Sequence, residues 1–154
     1  MRISTKGRYA LRLMIDLALN CHGNYIPLKE VANRQNISDK YLEQIVIQLN
    51  KAGYVKSIRG AQGGYSLAKK PIEYTVGDIL RLMEGSLAPV SCLVEDATPC
   101  PRMKECNTIS MWRKLKQAIE EVVDSYTLED LIQQQNEMES HNFLESKINL
   151  ELVP

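Results

Sequence analysis

No stretch of this 154-residue sequence is apolar for long enough to span a bilayer, and the opening Met1-Arg2-Ile3-Ser4-Thr5 contains no run of signal-peptide type. The expected location is therefore the cytoplasm. No internal repeat is visible. Also missing are a nucleophile–base pair and a glycine-rich phosphate cradle with a helix after it, which sets enzyme chemistry aside. Net charge is absent as well, 19 Lys and Arg against 19 Asp and Glu. That zero hides an asymmetry. Residues 1–85 hold 13 Lys/Arg against 7 Asp/Glu, a balance of +6, while residues 86–154 hold 6 against 12, a balance of −6. Such a split implies that only the first half approaches a polyanion. The remaining composition, 44% hydrophobic and 25% charged, is that of an ordinary soluble chain long enough for one domain with an appendage.

Cysteine is scarce but grouped. Of four cysteines, Cys92, Cys100 and Cys106 fall in one short stretch, separated by seven and five residues. Pro99 and Pro101 flank the middle one, and neither half of the stretch has a helical or strand period. Three thiols in a loop, without an export signal, read as soft-metal ligands rather than a disulfide framework. Thiolates select zinc, cuprous copper or an iron–sulfur cluster. Cys21, isolated at the end of a helical segment, reads as a buried apolar residue.

The segments before this loop have a recognisable order. Thr5 to Cys21 is helical, with Tyr9, Leu11, Leu13, Met14, Leu17 and Ala18 on a broad apolar face. Tyr25-Ile26-Pro27 links it to a short helix over Leu28–Gln35. After the turn Asn36-Ile37-Ser38, with Ser38 placed as N-cap, a third helix runs to about Ala52 and ends at Gly53. It buries Leu42, Ile45, Val46 and Leu49 and turns Asp39, Lys40, Glu43, Gln44 and Gln48 outward. This is a helix-turn-helix pattern. Two alternating segments, Tyr54–Ile58 and Tyr65–Ala68, enclose Arg59-Gly60-Ala61-Gln62-Gly63-Gly64, which predicts a β-hairpin wing. Its glycines let backbone approach a sugar–phosphate wall, and Arg59 suits a narrow minor groove. A capping box at Thr75 and Asp78 opens a helix closed by Gly85.

After the loop, Ile109, Trp112, Leu115, Ile119, Val122 and Tyr126 form one stripe on a long helix, the pattern of a helix that pairs with a second copy of itself. Thr127 caps a short last helix. Beyond Gln133 the composition turns polar, which predicts a mobile or separately docked tail. The closing Leu152-Val153-Pro154 looks like the start of a protease-cleavable tag and carries no weight. The predicted fold is mainly α with a small β-wing. Residues 1–85 form a winged helix-turn-helix domain, 86–107 the cysteine loop, 108–132 the dimerisation helix with a short helix after it, and 133–154 the polar tail.

The segment Met1 to Arg12, the run Ser38-Asp39-Lys40-Tyr41-Leu42-Glu43-Gln44-Ile45, the wing Ile58–Tyr65 and the three cysteines before Trp112 resemble the iron–sulfur cluster regulator family, IscR and its relatives, over about residues 1–132. The resemblance implies a homodimeric regulator whose two winged helices read a pseudo-palindromic operator in double-stranded DNA. It implies an iron–sulfur cluster on Cys92, Cys100 and Cys106, 2Fe-2S in preference to 4Fe-4S, whose presence changes which promoters are bound. By position, Tyr41, Glu43 and Gln44 would face major-groove base edges, Arg59 with Gly60 the minor groove, and Ser38 or Lys40 phosphates or bases. Gln pairs with adenine, and Glu accepts from cytosine N4 while repelling phosphate, so Glu43 can filter sequences. Lys40 departs from the small hydroxyl residue of the family pattern. For a fourth ligand, the family's histidine position holds Ile109 and the partner's acidic position holds Arg8, leaving Glu95, Asp96, Glu105, Asn107, a partner residue or a small ligand. The competing reading is a winged-helix regulator whose cysteines hold structural zinc or sense thiol oxidation, or whose signal is a bound protein.

Overall fold

The computed structural model describes the backbone of residues 2–151 and the side chains of residues 2–141; Met1 and Leu152-Val153-Pro154 lie outside the described residues. The elements are α1 (Thr5–Asn20), α2 (Leu28–Gln35), α3 (Asp39–Lys51), β1 (Val55–Ile58), β2 (Gly64–Leu67), α4 (Val76–Glu84), α5 (Ile109–Ser125) and α6 (Leu128–Glu151). The hairpin is antiparallel, with Val55 opposite Leu67 and Ile58 opposite Gly64. A mainly helical chain with a two-stranded wing is what the periodicity predicts.

One core serves the whole first half. Leu13, Met14 and Leu17 of α1, Val31 of α2, Leu42, Ile45, Val46 and Leu49 of α3, and Ile79 of α4 are all buried together. Each contributes on the order of 1.5–3 kcal/mol by leaving water. The ends of the helices are set locally. Ser4 accepts the Gly7 N–H, and its own hydroxyl donates to Glu84 Oε1 at 2.7 Å, tying the start of α1 to the end of α4. Asn36, at φ 52°, turns the chain left-handed between α2 and α3, and Gly53 does so after α3 at φ 73°. Ser38 sits at the α3 N-cap with extended backbone, but its side chain makes no capping bond. The Thr75–Asp78 box forms as predicted, and Thr127 with Asp130 makes an equivalent one at α6.

Two features escape the sequence patterns. Asp16, on the buried side of α1, is only 2% exposed; Arg34 grips it through Nη2 at 2.7 Å and Nε at 3.1 Å, and Gln35 donates at 2.8 Å. A buried carboxylate needs such partners, and these hold α2 against α1. The tail departs further. The short last helix expected after Thr127 instead continues unbroken from Leu128 to Glu151 as α6. Gln, Glu and Met are good helix formers, so propensity carries a polar sequence on from a first turn anchored by the fully buried Leu128.

The second half is fastened to the first by α6, whose Leu128 and Ile132 join the core, and by a set of polar contacts at the α5–α6 junction. Arg81 of α4 meets Asp124 of α5 in a fork of two 2.7 Å bonds. Beside it, the Val76 N–H donates to the Tyr126 carbonyl at 2.8 Å and the Leu128 N–H to the Tyr74 carbonyl at 2.9 Å. Gly77 makes this approach possible, since a Cβ there would lie 1.9 Å from Asp124 Oδ1. The link before α2 is fastened to the wing in a similar way, with Ile26 and Tyr65 exchanging backbone bonds of 2.9 and 2.8 Å. Gly64 is the residue that permits it. A Cβ on Gly64 would fall 2.3 Å from the Ile26 carbonyl carbon, and backbone cannot yield as a flexible side-chain tip can. Gly64→Ala should therefore destabilise the protein by roughly 1–3 kcal/mol, read as a lower urea midpoint. A midpoint equal to wild type would show that the wing and the Ile26 link are not held this closely.

Candidate nucleic-acid interface and cysteine loop

The outward face of α3 carries the residues proposed to read DNA. Ser38, Lys40, Glu43 and Gln44 are exposed, while Tyr41 is half-buried at the side of the helix. The placement follows from the core spacing: with Leu42, Ile45, Val46 and Leu49 inward, positions 40, 43 and 44 face away. Tyr41 is held from α1. Its ring meets Tyr9 edge-on at 5.7 Å between centroids, and the Arg12 guanidinium lies 5.3 Å over the Tyr9 ring. Arg12 in turn donates to the Gln35 side-chain oxygen at 3.0 Å and to the Gln35 carbonyl. Arg12 thus braces the helix-turn-helix instead of standing free for phosphate. Arg8, one turn earlier, is exposed and bonds only Thr5 among the described residues.

Arg59 and Gly60 are exposed at the wing tip. The turn is closed by the Gly63 N–H on the Gly60 carbonyl at 2.9 Å, and Gly60 has φ 114°, a backbone that side chains disfavour. A closed turn therefore presents an exposed Arg59 guanidinium that forms no ion pair with any described residue.

The cysteine loop joins α4 to α5. Cys92 lies in a 3-10 turn at Ser91–Leu93, Cys100 in irregular chain, and Cys106 closes a second 3-10 turn at Met103–Glu105, just ahead of α5. All three thiols are free and half-exposed. The Thr108 hydroxyl, 3.4 Å from Cys106 Sγ, draws that thiol below the usual thiol pKa, with help from the Thr108 backbone N–H. Cys21 behaves oppositely: burial pushes its thiol up, as an apolar-side residue packed against the core should. Glu95, Asp96, Glu105 and Asn107 are exposed in the same loop. Among the described residues, no three Cys, His, Asp or Glu side chains come together as a group able to hold a metal ion. The donors fit a soft metal or iron–sulfur cluster in kind, but in this arrangement they do not form a closed site.

The α5 helix contains no buried residue. Met111, Leu115, Val122 and Tyr126 are exposed, whereas Ile109, Trp112 and Ile119 of the expected stripe are half-buried. The stripe is thus rotated from the expected one, adding Met111 at the outer edge. No described helix is long and apolar enough to cross a membrane.

A family model described as Rrf2, iron-dependent transcriptional regulator, matches residues 3–134. The chain belongs to the Rrf2 family. It is 48% identical over 131 residues to the HTH-type transcriptional regulator CymR of Bacillus subtilis (strain 168), covering 85% of this chain and 89% of the relative. The solved structure of CymR (YrzC), the global cysteine regulator of B. subtilis, superposes with TM-score 0.71 at 46% identity over 87% of this chain and 98% of that one. T. potens IscR superposes with TM-score 0.72 at 43% identity, covering 90% of each. The Rrf2-family chain is accordingly a transcriptional regulator with a winged helix, not an enzyme.

The contrast between the two kinds of thiol is directly measurable. At neutral pH Cys106 should be alkylated by iodoacetamide well before Cys21, since only the thiolate attacks. Thr108→Val should slow Cys106 and leave Cys21 unchanged in a mass-spectrometric time course. A Cys106 that reacts as fast in Thr108→Val as in the wild type would contradict the Thr108 contact.

Proposed function

We propose that this regulator binds double-stranded DNA as a homodimer in the cytoplasm and that an iron–sulfur cluster on Cys92, Cys100 and Cys106 sets which operators it binds. The observation that carries the reading is the placement of three free thiols on the loop that runs directly into α5, the helix whose apolar face has no cover in the single chain. For three thiols to share one group the loop has to close from its described arrangement, and closure is the event that would link metal to α5. The half-sites of a pseudo-palindromic operator lie about 34–36 Å apart, so a small change at the dimer axis alters register. When bound, an incompletely protein-ligated iron would offer a position open to oxygen, nitric oxide or chelation. On the DNA side, Ser38, Lys40, Tyr41, Glu43 and Gln44 would enter the major groove and Arg59 with Gly60 the minor groove.

A second reading is favoured by the likeness to a cysteine regulator and, for its thiol-oxidation form, by thiols that are free and half-exposed. In it the loop thiols bind structural zinc or are themselves oxidised, with no cluster. Anaerobic purification separates the two. Brown protein with visible charge-transfer absorption supports the cluster, and colourless protein with stoichiometric zinc supports the alternative. Cys92→Ala, Cys100→Ala and Cys106→Ala should each abolish iron binding while Cys21→Ala should not. Full iron content in any one loop variant would rule out this ligand set.

Assembly is tested separately. Leu115→Asp with Val122→Asp places charge on two exposed positions and leaves the monomer core intact. The double variant should sediment as a monomer and bind DNA much more weakly, because the apolar face can no longer be buried. A double variant that remains dimeric would move the interface elsewhere.

A further inference from the structure

The outward face of α3 has one apolar residue at its centre. Ile47 is 50% exposed, although its neighbours Ile45 and Val46 are fully buried. It follows Glu43 by four residues and Gln44 by three, so all three lie on one strip of helix surface opposite the core. The surrounding exposed positions, Lys40, Glu43, Gln44, Asn50 and Lys51, are charged or amide-bearing. Ile47 belongs neither to the core cluster nor to the partly buried residues packed against it, so the core does not account for its presence. A large β-branched side chain in the middle of a polar helix face that approaches DNA has an obvious counterpart. In the major groove the apolar feature of the base edges is the C5-methyl of thymine, and apolar side chains are the ones that distinguish it.

We infer that Ile47 is a specificity-determining residue that packs against a thymine methyl in each half-site. The inference rests on the proposal that α3 enters the major groove. It also gives the face a division of labour. Gln44 and Glu43 offer hydrogen-bond groups to the bases, and Ile47, nearly a turn farther along, excludes water from a methyl-bearing edge. Serine or alanine there would leave such a methyl in water. Wild-type protein should therefore select thymine at one position per half-site, where cytosine, adenine and guanine present no methyl.

The test replaces the methyl and the side chain in a cycle. Operators are first selected from a randomised duplex library by the wild-type full-length protein. Each thymidine of the selected site is then replaced by deoxyuridine, which removes the C5-methyl and retains every hydrogen-bonding group. Affinities are measured at one fixed salt concentration for wild type, Ile47→Ser and Ile47→Val. At one position per half-site, deoxyuridine should weaken wild-type binding roughly fourfold, the factor for one methyl group leaving water. The same replacement should have no effect on Ile47→Ser and an intermediate or wild-type effect on Ile47→Val. Ile47 is exposed, so both variants should unfold at the wild-type temperature, and a thermal melt checks this. Should every deoxyuridine position weaken wild type and Ile47→Ser by the same factor, the role of Ile47 is refuted while α3 remains the reading helix. A library that yields no selected sequence, with binding unaffected by Gln44→Ala, overturns the α3 reading and this inference together.

Discussion

A carboxylate taken out of water sets the geometry on which the rest of the first half depends. Asp16 has almost no contact with solvent, and its two oxygens are occupied by Arg34 and Gln35 of the next helix. Removing Arg34 would leave a buried carboxylate bonded across the helices by Gln35 alone, a destabilising change. The pair fixes how α2 crosses α1, the αL residue Asn36 then fixes how α3 leaves α2, and the reading face follows. Arg34 remains protonated at every relevant pH, its pKa raised chiefly by the bond to Asp16. Arg12 adds a second tie between the same helices and carries it through Tyr9 to Tyr41. Residues of α1 thus position one that is proposed to meet a base.

The connection to α5 is narrower. Three contacts lie together at the end of α5: the Arg81–Asp124 fork and the two backbone bonds joining 74–76 to 126–128. The fork is partly exposed, so its own contribution to stability is small, on the order of 1 kcal/mol at most. Its sign is clear. The Arg81 bond holds the Asp124 carboxyl below its ordinary value of 3.8, so this contribution is present above that pH and is lost as pH falls through the lowered pKa. The fork matters more as a hinge pin. The cysteine loop leaves α4 after Glu84 and enters α5 at Ile109, and on the way its Val94 and Glu95 line a cavity with Arg81, Lys116 and Glu120, so the loop meets α5 along its length as well as at its start.

The elements built on hydrophobic period were legible in the sequence. Leu42, Ile45, Val46 and Leu49 gave α3 its inward face, and the alternation around Arg59 to Gly64 gave the wing. Caps were legible where side chain and backbone act in pairs, as at Thr75 and Asp78. Ser38 occupies a cap position without making the bond, a difference that residue type alone does not reveal. Asp16 was hidden because a carboxylate on a helix looks exposed until a partner eighteen residues away is placed on it. The α6 extension was missed for a related reason. Polarity argues against burial, but a helix can continue without burial when its first turn is anchored. In the cysteine loop the sequence supplies the donors and their spacing, but the turns that carry them leave the thiols apart, and no period or cap encodes the missing closure. Ile47 was visible as a residue and invisible as a surface feature, because its spacing sits one place off the buried set.

A helix of 17 residues without a single buried side chain is held to its own domain only by half-buried contacts such as Trp112 and Ile119 and by the Arg81 fork. Local pairs such as Lys116 with Glu120 and Gln117 with Glu121 add only tenths of a kcal/mol each. In the proposed homodimer, pairing of Met111, Leu115 and Val122 would tie the order of that helix to protein concentration by mass action. For a transcriptional regulator this would make copy number a variable of its own. In that proposed arrangement, a cell holding few molecules would keep much of the population with α5 uncovered, and a modest rise in expression would cover it.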